Sequence, residues 1–251
     1  MWRVRYTNGS RRRRKARYRG SREAAMGRET EIKLAITDEK ALRRALQRLQ
    51  AVPVSKASPR VHELNVLFDT ADDALAKRGQ LLRIRTETTE PPRKAGRAKP
   101  KAADLKQRVI LTFKRPVDVE EPADKPSNSG RYKVREELEL EVSDGGTLTK
   151  IFGGLRLEGW FRYEKYRTTY RLGAVKTWAK GLLVELDETP VGTFVELEGP
   201  AEAIDKAAEA LGFSKRDYIS KSYLELYIEE CRRRGEQPRH MLFAVGNSKP
   251  K

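Results

Sequence analysis

The sequence predicts an α+β fold, in which about eight antiparallel strands close into a barrel, or tunnel, with a charged interior and helices packed outside. Three observations lead to this prediction. At least six strand-like segments carry charged residues on one face and apolar residues on the other. The charged faces are segregated by sign. Amphipathic helices between the strands need an apolar sheet face to cover.

The composition describes a globular but unusually ionic chain. Of 251 residues, 38% are hydrophobic and 35% are charged, and the net charge is +17. Residues 1–28 hold eleven basic and one acidic residue, a balance of +10, which leaves +7 for the rest. That excess suits an anionic ligand. The only cysteine, Cys231, allows no intrachain disulfide, and this favours a reducing, cytoplasmic location.

Three regions are expected along the chain. Residues 1–26 are Arg-rich with almost no apolar periodicity and predict a disordered basic tail. An upstream start codon before Met26, a polyanion-binding arm and a transit peptide remain alternatives for this segment. Residues 27–230 form the folded domain, and residues 231–251 a C-terminal tail.

The first strand of that domain is GRETEIKLAI. Side chains alternate along a strand, so Glu29, Glu31 and Lys33 share one face while Ile32 and Leu34 share the other. The segments after it predict a helix in TDEKALRRALQRLQAV, a strand in RVHELNVLFDT and a short helix in ADDALAKRGQ.

Later strands repeat this alternation, and each presents mainly one sign of charge. The strands in LLRIRTET, RVILTFKRP and RYEKYRTTYRL present cations, and those in RYKVREELELEV, LLVELDET and GTFVELEG present mainly carboxylates. Polar, Pro-rich loops are expected at 90–107 and 118–130. Helices are expected in PAEAIDKAAEALGF and KSYLELYIEECRRRG. The charged positions are Arg83, Arg85, Lys114, Lys165, Arg167, Arg135, Glu137, Glu139, Glu185, Asp187, Glu196 and Glu198.

Charged strand faces usually contact water. Here, however, the signs are segregated and the apolar faces are needed by helices, so we expect the charged faces to line the inside of a closed barrel. Clustered carboxylates repel one another unless a divalent cation is bound, and clustered arginines and lysines require an anion. A metal-bound polyphosphate meets both requirements.

Eight ordered segments carry a resemblance to a known family. ETEIKL, LLRIR, LTFK, REELELEV, EKYRTTY, VELDE, FVELEG and KSY resemble, in this order, the CYTH domain of the triphosphate tunnel metalloenzymes. That family includes class IV adenylyl cyclases, thiamine triphosphatases and inorganic triphosphatases. Glu29, Glu31 and Lys33 match its Glu-x-Glu-x-Lys signature, and the resemblance covers residues 27–225.

The resemblance implies a role for each matched residue. Catalytic roles fall on Glu29, Glu31 and Lys33, and metal binding falls on Glu29, Glu31, Asp187, Glu196 and Glu198. Substrate binding falls on Arg83, Arg85, Lys114, Arg135, Lys165, Arg167 and Lys221, the last of these in the C-terminal helix. Further acidic tunnel positions are Glu137, Glu139 and Glu185.

The function expected from these features is Mg²⁺- or Mn²⁺-dependent hydrolysis of a triphosphate: inorganic triphosphate, thiamine triphosphate or a nucleoside triphosphate. A class IV adenylyl cyclase and a non-catalytic polyphosphate-binding module remain alternatives. The expected partner is a triphosphate-containing small molecule, and we expect neither a nucleic acid nor a membrane. The chain is expected to be a monomer or a homodimer.

Overall fold

A computed structural model describes residues 27–55, 60–89, 105–117, 131–173 and 176–244. The expected basic tail at 1–26 and most of the two expected loops, at 90–104 and 118–130, lie outside the described residues.

Most strands and helices of the described chain lie where the alternation and the helical period predicted them. In ADDALAKRGQ only a one-turn 3-10 helix forms, Ala76–Arg78, and Gly79 ends it with a φ of 65°. The strands are β1 (Gly27–Ile36), β2 (Val52–Pro53), β3 (Arg60–Asp69), β4 (Leu81–Thr89), β5 (Lys106–Pro116), β6 (Lys133–Val142), β7 (Glu158–Arg171), β8 (Leu183–Thr189) and β9 (Gly192–Glu198). The helices are α1 (Glu39–Arg48), α2 (Gly145–Gly154), α3 (Ala201–Leu211) and α4 (Tyr223–Arg234).

Eight of the strands form a closed antiparallel barrel, which confirms the predicted fold. They pair in the order β7-β3-β4-β5-β6-β1-β9-β8, and β8 pairs back to β7. The two-residue β2 adds to the edge of β7. Closure leaves the barrel without an open edge and gives it a true inside.

The strand register places the charged faces together inside. Glu31 lies opposite Glu198 and Lys33 lies opposite Glu196 across β1 and β9. Directly paired residues of antiparallel strands point to the same face. The same rule carries the charged face from strand to strand around the barrel.

The apolar faces point outward beneath helices. Ile32, Leu34 and Leu197 are fully buried in the largest core, where α1 and α3 pack over β1, β8 and β9. A smaller core joins Phe152 of α2 to Phe68 of β3. Removal of this apolar surface from water is the main stabilising contribution to such a fold.

One part of the barrel interior is apolar. Along β3, β7 and β9, the inward positions change from charged to hydrophobic, and side chains from α4 and the segment after it complete the cluster. We call this cluster the apolar floor. Its buried members are Leu67, Phe161, Tyr163, Phe194, Tyr223 and Met241.

The chain beyond residue 230 packs against the barrel, where a tail from 231 to 251 was expected. Helix α4 continues to Arg234, and Cys231 is buried. The Met241 amide donates to the Arg162 carbonyl of β7, and the Glu164 amide donates to the Met241 carbonyl. Residues 231–244 therefore belong to the domain, because Met241 fills a position in the apolar floor.

None of the helices in the described part of the chain is long and apolar enough to cross a membrane.

Replacing Leu197 by Ala should lower the free energy of unfolding by about 2–5 kcal/mol, because the side chain is fully buried between the barrel and α3. Urea denaturation measures this loss. Leu140→Ala is the matched control, since Leu140 lies on β6 with 57% of its surface exposed. Equal losses in the two variants would contradict the assigned core.

Candidate functional site

The barrel encloses a cavity of about 290 Å³ with a strongly charged wall. Leu81, Leu183, Ser222, Tyr163 and Tyr223 supply the uncharged part of its lining. The charged lining consists of eight cations, Lys33, Arg83, Arg85, Lys114, Lys133, Arg135, Lys165 and Arg167, and seven carboxylates, Glu29, Glu31, Glu137, Glu139, Glu185, Glu196 and Glu198.

Two of the residues expected in the site do not line this cavity. Asp187 points into the barrel but is fully buried there, where one oxygen accepts hydrogen bonds from Lys165 Nζ at 2.8 Å and the Tyr223 hydroxyl at 2.7 Å. Lys221 precedes α4, is half-exposed and pairs with Glu229. The structure thus places Lys221 on the surface, because the turn into α4 directs Tyr223 inward in its place.

Several interior residues were not identified from the sequence. Lys133 has the same parity as Arg135, and Glu63 has the same parity as Asn65, opposite the apolar face of its strand, so the alternation itself could have indicated both. Tyr223 reaches the cavity from α4. No strand pattern could have indicated this residue, because it depends on how α4 docks on the barrel.

Arg167 is the most heavily paired cation of the wall. Its guanidinium donates to Asp187 at 2.7–2.8 Å and also pairs with Glu185 and Glu196. Burial opposes its charge, but the carboxylates of Asp187, Glu185 and Glu196 raise its pKa well above the usual value. Arg167 therefore stays ionised and holds β7, β8 and β9 together.

Lys33 forms the corresponding bridge on β1. Its ammonium lies 3.3 Å from Glu31 and 3.0 Å from Glu196. Burial would raise the pKa of Glu31, but Lys33, with help from Lys133 and Lys114, lowers it to about 2. This part of the signature sequence is therefore fully charged at neutral pH.

Some carboxylates of the wall are not compensated in this way. Burial, together with Glu185 and Glu29, raises the pKa of Glu198 to about 8, against the effect of Lys114. Burial likewise raises the pKa of Glu137 and of Glu185 to about 7. Negative charge is therefore in excess around Glu198.

That excess fits a hard divalent cation. Glutamate oxygens are the donors that Mg²⁺ and Mn²⁺ prefer, and Glu31 lies directly opposite Glu198 with Glu29 two residues away on the same face. Within the described ranges, no three Asp, Glu, His or Cys side chains already converge in a metal-binding arrangement. Glu29 and Glu31 are instead bound by lysines, Glu29 by Lys114 at 2.6 Å.

The cationic part of the wall fits a polyphosphate. Arg83 is held in place, with its Nη1 donating to the Tyr163 hydroxyl at 3.3 Å and its Nη2 to Thr112 at 3.1 Å. Its Nε is buried and has no acceptor among the described residues. A buried donor without a partner is costly, and a phosphate oxygen is a suitable acceptor for a guanidinium.

Comparison with known proteins identifies the family. The family model for the CYTH domain matches residues 27–223, so the chain belongs to the CYTH family. Members of this family are metal-dependent triphosphatases or adenylyl cyclases that bind triphosphate substrates. None of the curated proteins compared with the chain matches it.

Solved structures share the fold at low sequence identity. A candidate adenylate cyclase from Vibrio parahaemolyticus is similar with a TM-score of 0.56 at 16% identity, covering 79% of this chain and 97% of that one. The PH1819 protein of Pyrococcus horikoshii has a TM-score of 0.54 at 20% identity, covering 80% and 99%. A conserved hypothetical protein from Pyrococcus furiosus has a TM-score of 0.52 at 24% identity, covering 79% and 99%.

The raised pKa values predict how the stability of the metal-free protein depends on pH. Between about pH 5 and 8, Glu198, Glu137 and Glu185 keep protons in the folded state that they lose in the unfolded state. The folded state then binds more protons, so the contribution of these groups to stability is lost as pH rises through this window.

Glu198→Gln should flatten this dependence by up to about 1.4 kcal/mol per pH unit, the effect of one proton. Chemical denaturation in the presence of a chelator at several pH values measures the slope. Glu202→Gln on the exposed face of α3 is the control. An unchanged slope in Glu198→Gln would show that Glu198 does not hold this proton.

Proposed function

We propose that this protein is a divalent-metal-dependent hydrolase of triphosphate-containing substrates, which it binds inside the barrel. The observation that supports this proposal best is the enclosed cavity in which eight cations and seven carboxylates face one another. A cavity that bound only an anion would gain nothing from so many carboxylates facing its ligand. A ligand that combines phosphate groups with a metal ion uses both sets.

The cations hold the substrate. Arg83 and Arg85 on β4 offer planar guanidinium groups for two-point contact with phosphate oxygens, and Lys114 and Lys165 add compact positive charge. Arg135 and Arg167 complete the set. The barrel strands fix all these groups before binding, so positioning requires little reorganisation.

Glu29, Glu31, Glu196 and Glu198 are the proposed metal-holding residues, and Mg²⁺ or Mn²⁺ bound there would neutralise charge on the phosphate oxygens. Asp187 is fully buried and is bound by protein donors, so we give it the role of fixing Lys165 and Arg167. Lys33 keeps Glu31 and Glu196 ionised and correctly oriented.

The carboxylates would also orient the water molecule that attacks the phosphorus. A glutamate among Glu29, Glu31 and Glu198 would accept a hydrogen bond from a water molecule placed in line with the phosphorus and its leaving oxygen. The fixed cations stabilise the charge that develops on the phosphate oxygens.

Hydrolysis is favoured over cyclisation by the chemistry of the lining. Among the described lining residues, only Leu81 and Leu183 are aliphatic, and the aromatic lining residues are Tyr163 and Tyr223 of the apolar floor. This composition suits a polyphosphate and offers little for a nucleoside. An adenylyl cyclase is the second candidate, because the same cavity would hold the triphosphate of ATP. A polyphosphate-binding module without turnover is the third.

One incubation separates the three candidates. The protein is mixed with Mg²⁺ or Mn²⁺ and either inorganic triphosphate or ATP, and the products are separated by chromatography. Release of phosphate supports the hydrolase. Cyclic AMP with pyrophosphate identifies the cyclase, and binding without product identifies the binding module.

Arg83→Ala and Glu31→Ala should each lower turnover at least tenfold while the fold is retained, because one removes a phosphate-binding cation and the other a metal-holding carboxylate. Steady-state phosphate release and circular dichroism measure the two properties. Arg43→Ala and Glu202→Ala, both on exposed helix faces, are the charge-matched controls. Near-normal activity in both cavity variants would contradict the proposed site.

A further inference from the structure

Glu63 on β3 is a fully buried carboxylate among the cations of the barrel. It points inward but does not line the cavity, and only 1% of its surface is exposed. Its carboxylate lies 3.4 Å from Arg85 Nε, 3.6 Å from Lys165 Nζ and 3.8 Å from Arg167 Nε. Strand β3 pairs with β4 on one side and with β7 on the other. Glu63 therefore connects cations that line the cavity from two different strands.

Of these three cations, Arg85 depends most on Glu63. Lys165 and Arg167 each have a closer carboxylate partner in Asp187, at 2.8 Å and 2.7 Å. Among the described residues, the carboxylate nearest to Arg85 is that of Glu63. Loss of this carboxylate would therefore change the surroundings of Arg85 more than those of the other two cations.

Asn65, the next inward residue of β3, holds the same guanidinium. It is fully buried, lies directly opposite Arg85 in the strand register, and its Oδ1 accepts a hydrogen bond from Arg85 Nε at 3.2 Å. Glu63 and Asn65 thus both contact Nε. Because a guanidinium is planar, two contacts at Nε set the orientation of the whole group from within the protein.

The charges of Glu63 and of its neighbours support one another. Burial would raise the pKa of Glu63, but Arg85, Lys165 and Arg167 hold it well below its usual range. Burial and the nearby Arg167 disfavour the charge of Arg85, and Glu63 is the main group that raises its pKa. Like charges this close repel one another. Without Glu63, the three cations would push one another out of position.

From these contacts we propose that Glu63 is a positioning residue, which acts through Arg85 by holding its guanidinium in the orientation that the reaction requires. The inference rests on the proposed function, because Arg85 is there assigned to phosphate binding. Glu63 makes no contact with the substrate itself, since it does not line the cavity. Its contribution is preorganisation: Arg85 is already fixed when charge develops on the phosphate oxygens.

Glu63→Gln tests this role, because it keeps the shape of the side chain and removes its charge. We expect kcat for inorganic triphosphate in Mg²⁺, normalised to the folded fraction, to fall at least tenfold. The Kd measured by isothermal titration calorimetry should change less than threefold, since the added positive charge offsets the lost order. An unchanged kcat, or a loss of affinity as large as the loss of kcat, would overturn the proposal.

Asp69→Asn is the matched control. Asp69 is a buried carboxylate on the same strand, but it accepts hydrogen bonds from the backbone amides of Leu75 and Ala76 instead of pairing with cavity cations. This variant should leave the normalised kcat unchanged. An equal fall of kcat in Asp69→Asn and Glu63→Gln would show that any lost carboxylate on β3 has the same effect, and would overturn the proposal.

Asn65 permits a rescue experiment. Its Nδ2 has no acceptor among the residues that the structure describes, so Asn65→Asp places a carboxylate beside Arg85 at little cost. In the Glu63→Gln background, this second change should restore at least a third of the wild-type kcat. Failure of the folded double variant to recover activity would contradict the proposed role.

A double-mutant cycle tests whether Glu63 acts through Arg85. In the Arg85→Ala background, Glu63→Gln should lower kcat less than threefold, because the group that it positions is already absent. A further tenfold fall would show that Glu63 acts independently of Arg85.

A measurement without turnover keeps this inference separate from the proposed function. The Nε–H signal of Arg85 in ¹⁵N–¹H spectra is identified by its absence in Arg85→Lys. Its exchange with water should be at least tenfold faster in Glu63→Gln than in the wild-type protein. This result in a wild-type protein that releases no phosphate would support the positioning of Arg85 and overturn the hydrolase. Phosphate release by the wild-type protein, with equal exchange in the two proteins, would overturn the inference and leave the hydrolase in place.

Discussion

The structure depends on the pairing of opposite charges inside a closed barrel. Moving a charge out of water is costly unless a partner of opposite sign and good hydrogen bonds replace the lost hydration. Arg167, surrounded by carboxylates from β8 and β9, shows how this requirement is met. The strands can bring their charged faces together only because most of these charges have such a partner. The apolar faces are thereby left to pack beneath α1, α2 and α3.

This network has a functional consequence. Lysines pair with carboxylates that we propose as metal-holding residues, as Lys114 pairs with Glu29. A ligand that supplies both phosphate groups and a divalent metal can compensate the cations and the carboxylates of the cavity at the same time. An anion or a metal alone would leave one of these two sets of charges uncompensated. The internal balance is incomplete at Glu198, whose pKa is raised, and at the Nε of Arg83, which has no acceptor among the residues that the structure describes. Both residues line the cavity.

Much of the fold and most of the candidate site follow from the alternation of side chains. A strand has a period of two, so each charged position could be assigned to a face from the sequence, and closure then placed those faces inside. Glu63 and Lys133 obey the same rule, so they too could have been assigned to the interior. Lys221 differs, because it lies outside the strands. Its direction is set by the turn before α4, and local sequence does not determine that geometry.

By itself, the sequence determined which side chains share a face, because parity is a local property of an extended chain. It also determined the signs of the charges that meet, since these follow from residue type. Tertiary structure alone decided that Asp187 is covered by Tyr223, that Tyr223 enters from α4 and that Met241 joins the apolar floor. These three facts depend on how distant segments dock, and docking is set by the shape and packing of the whole barrel.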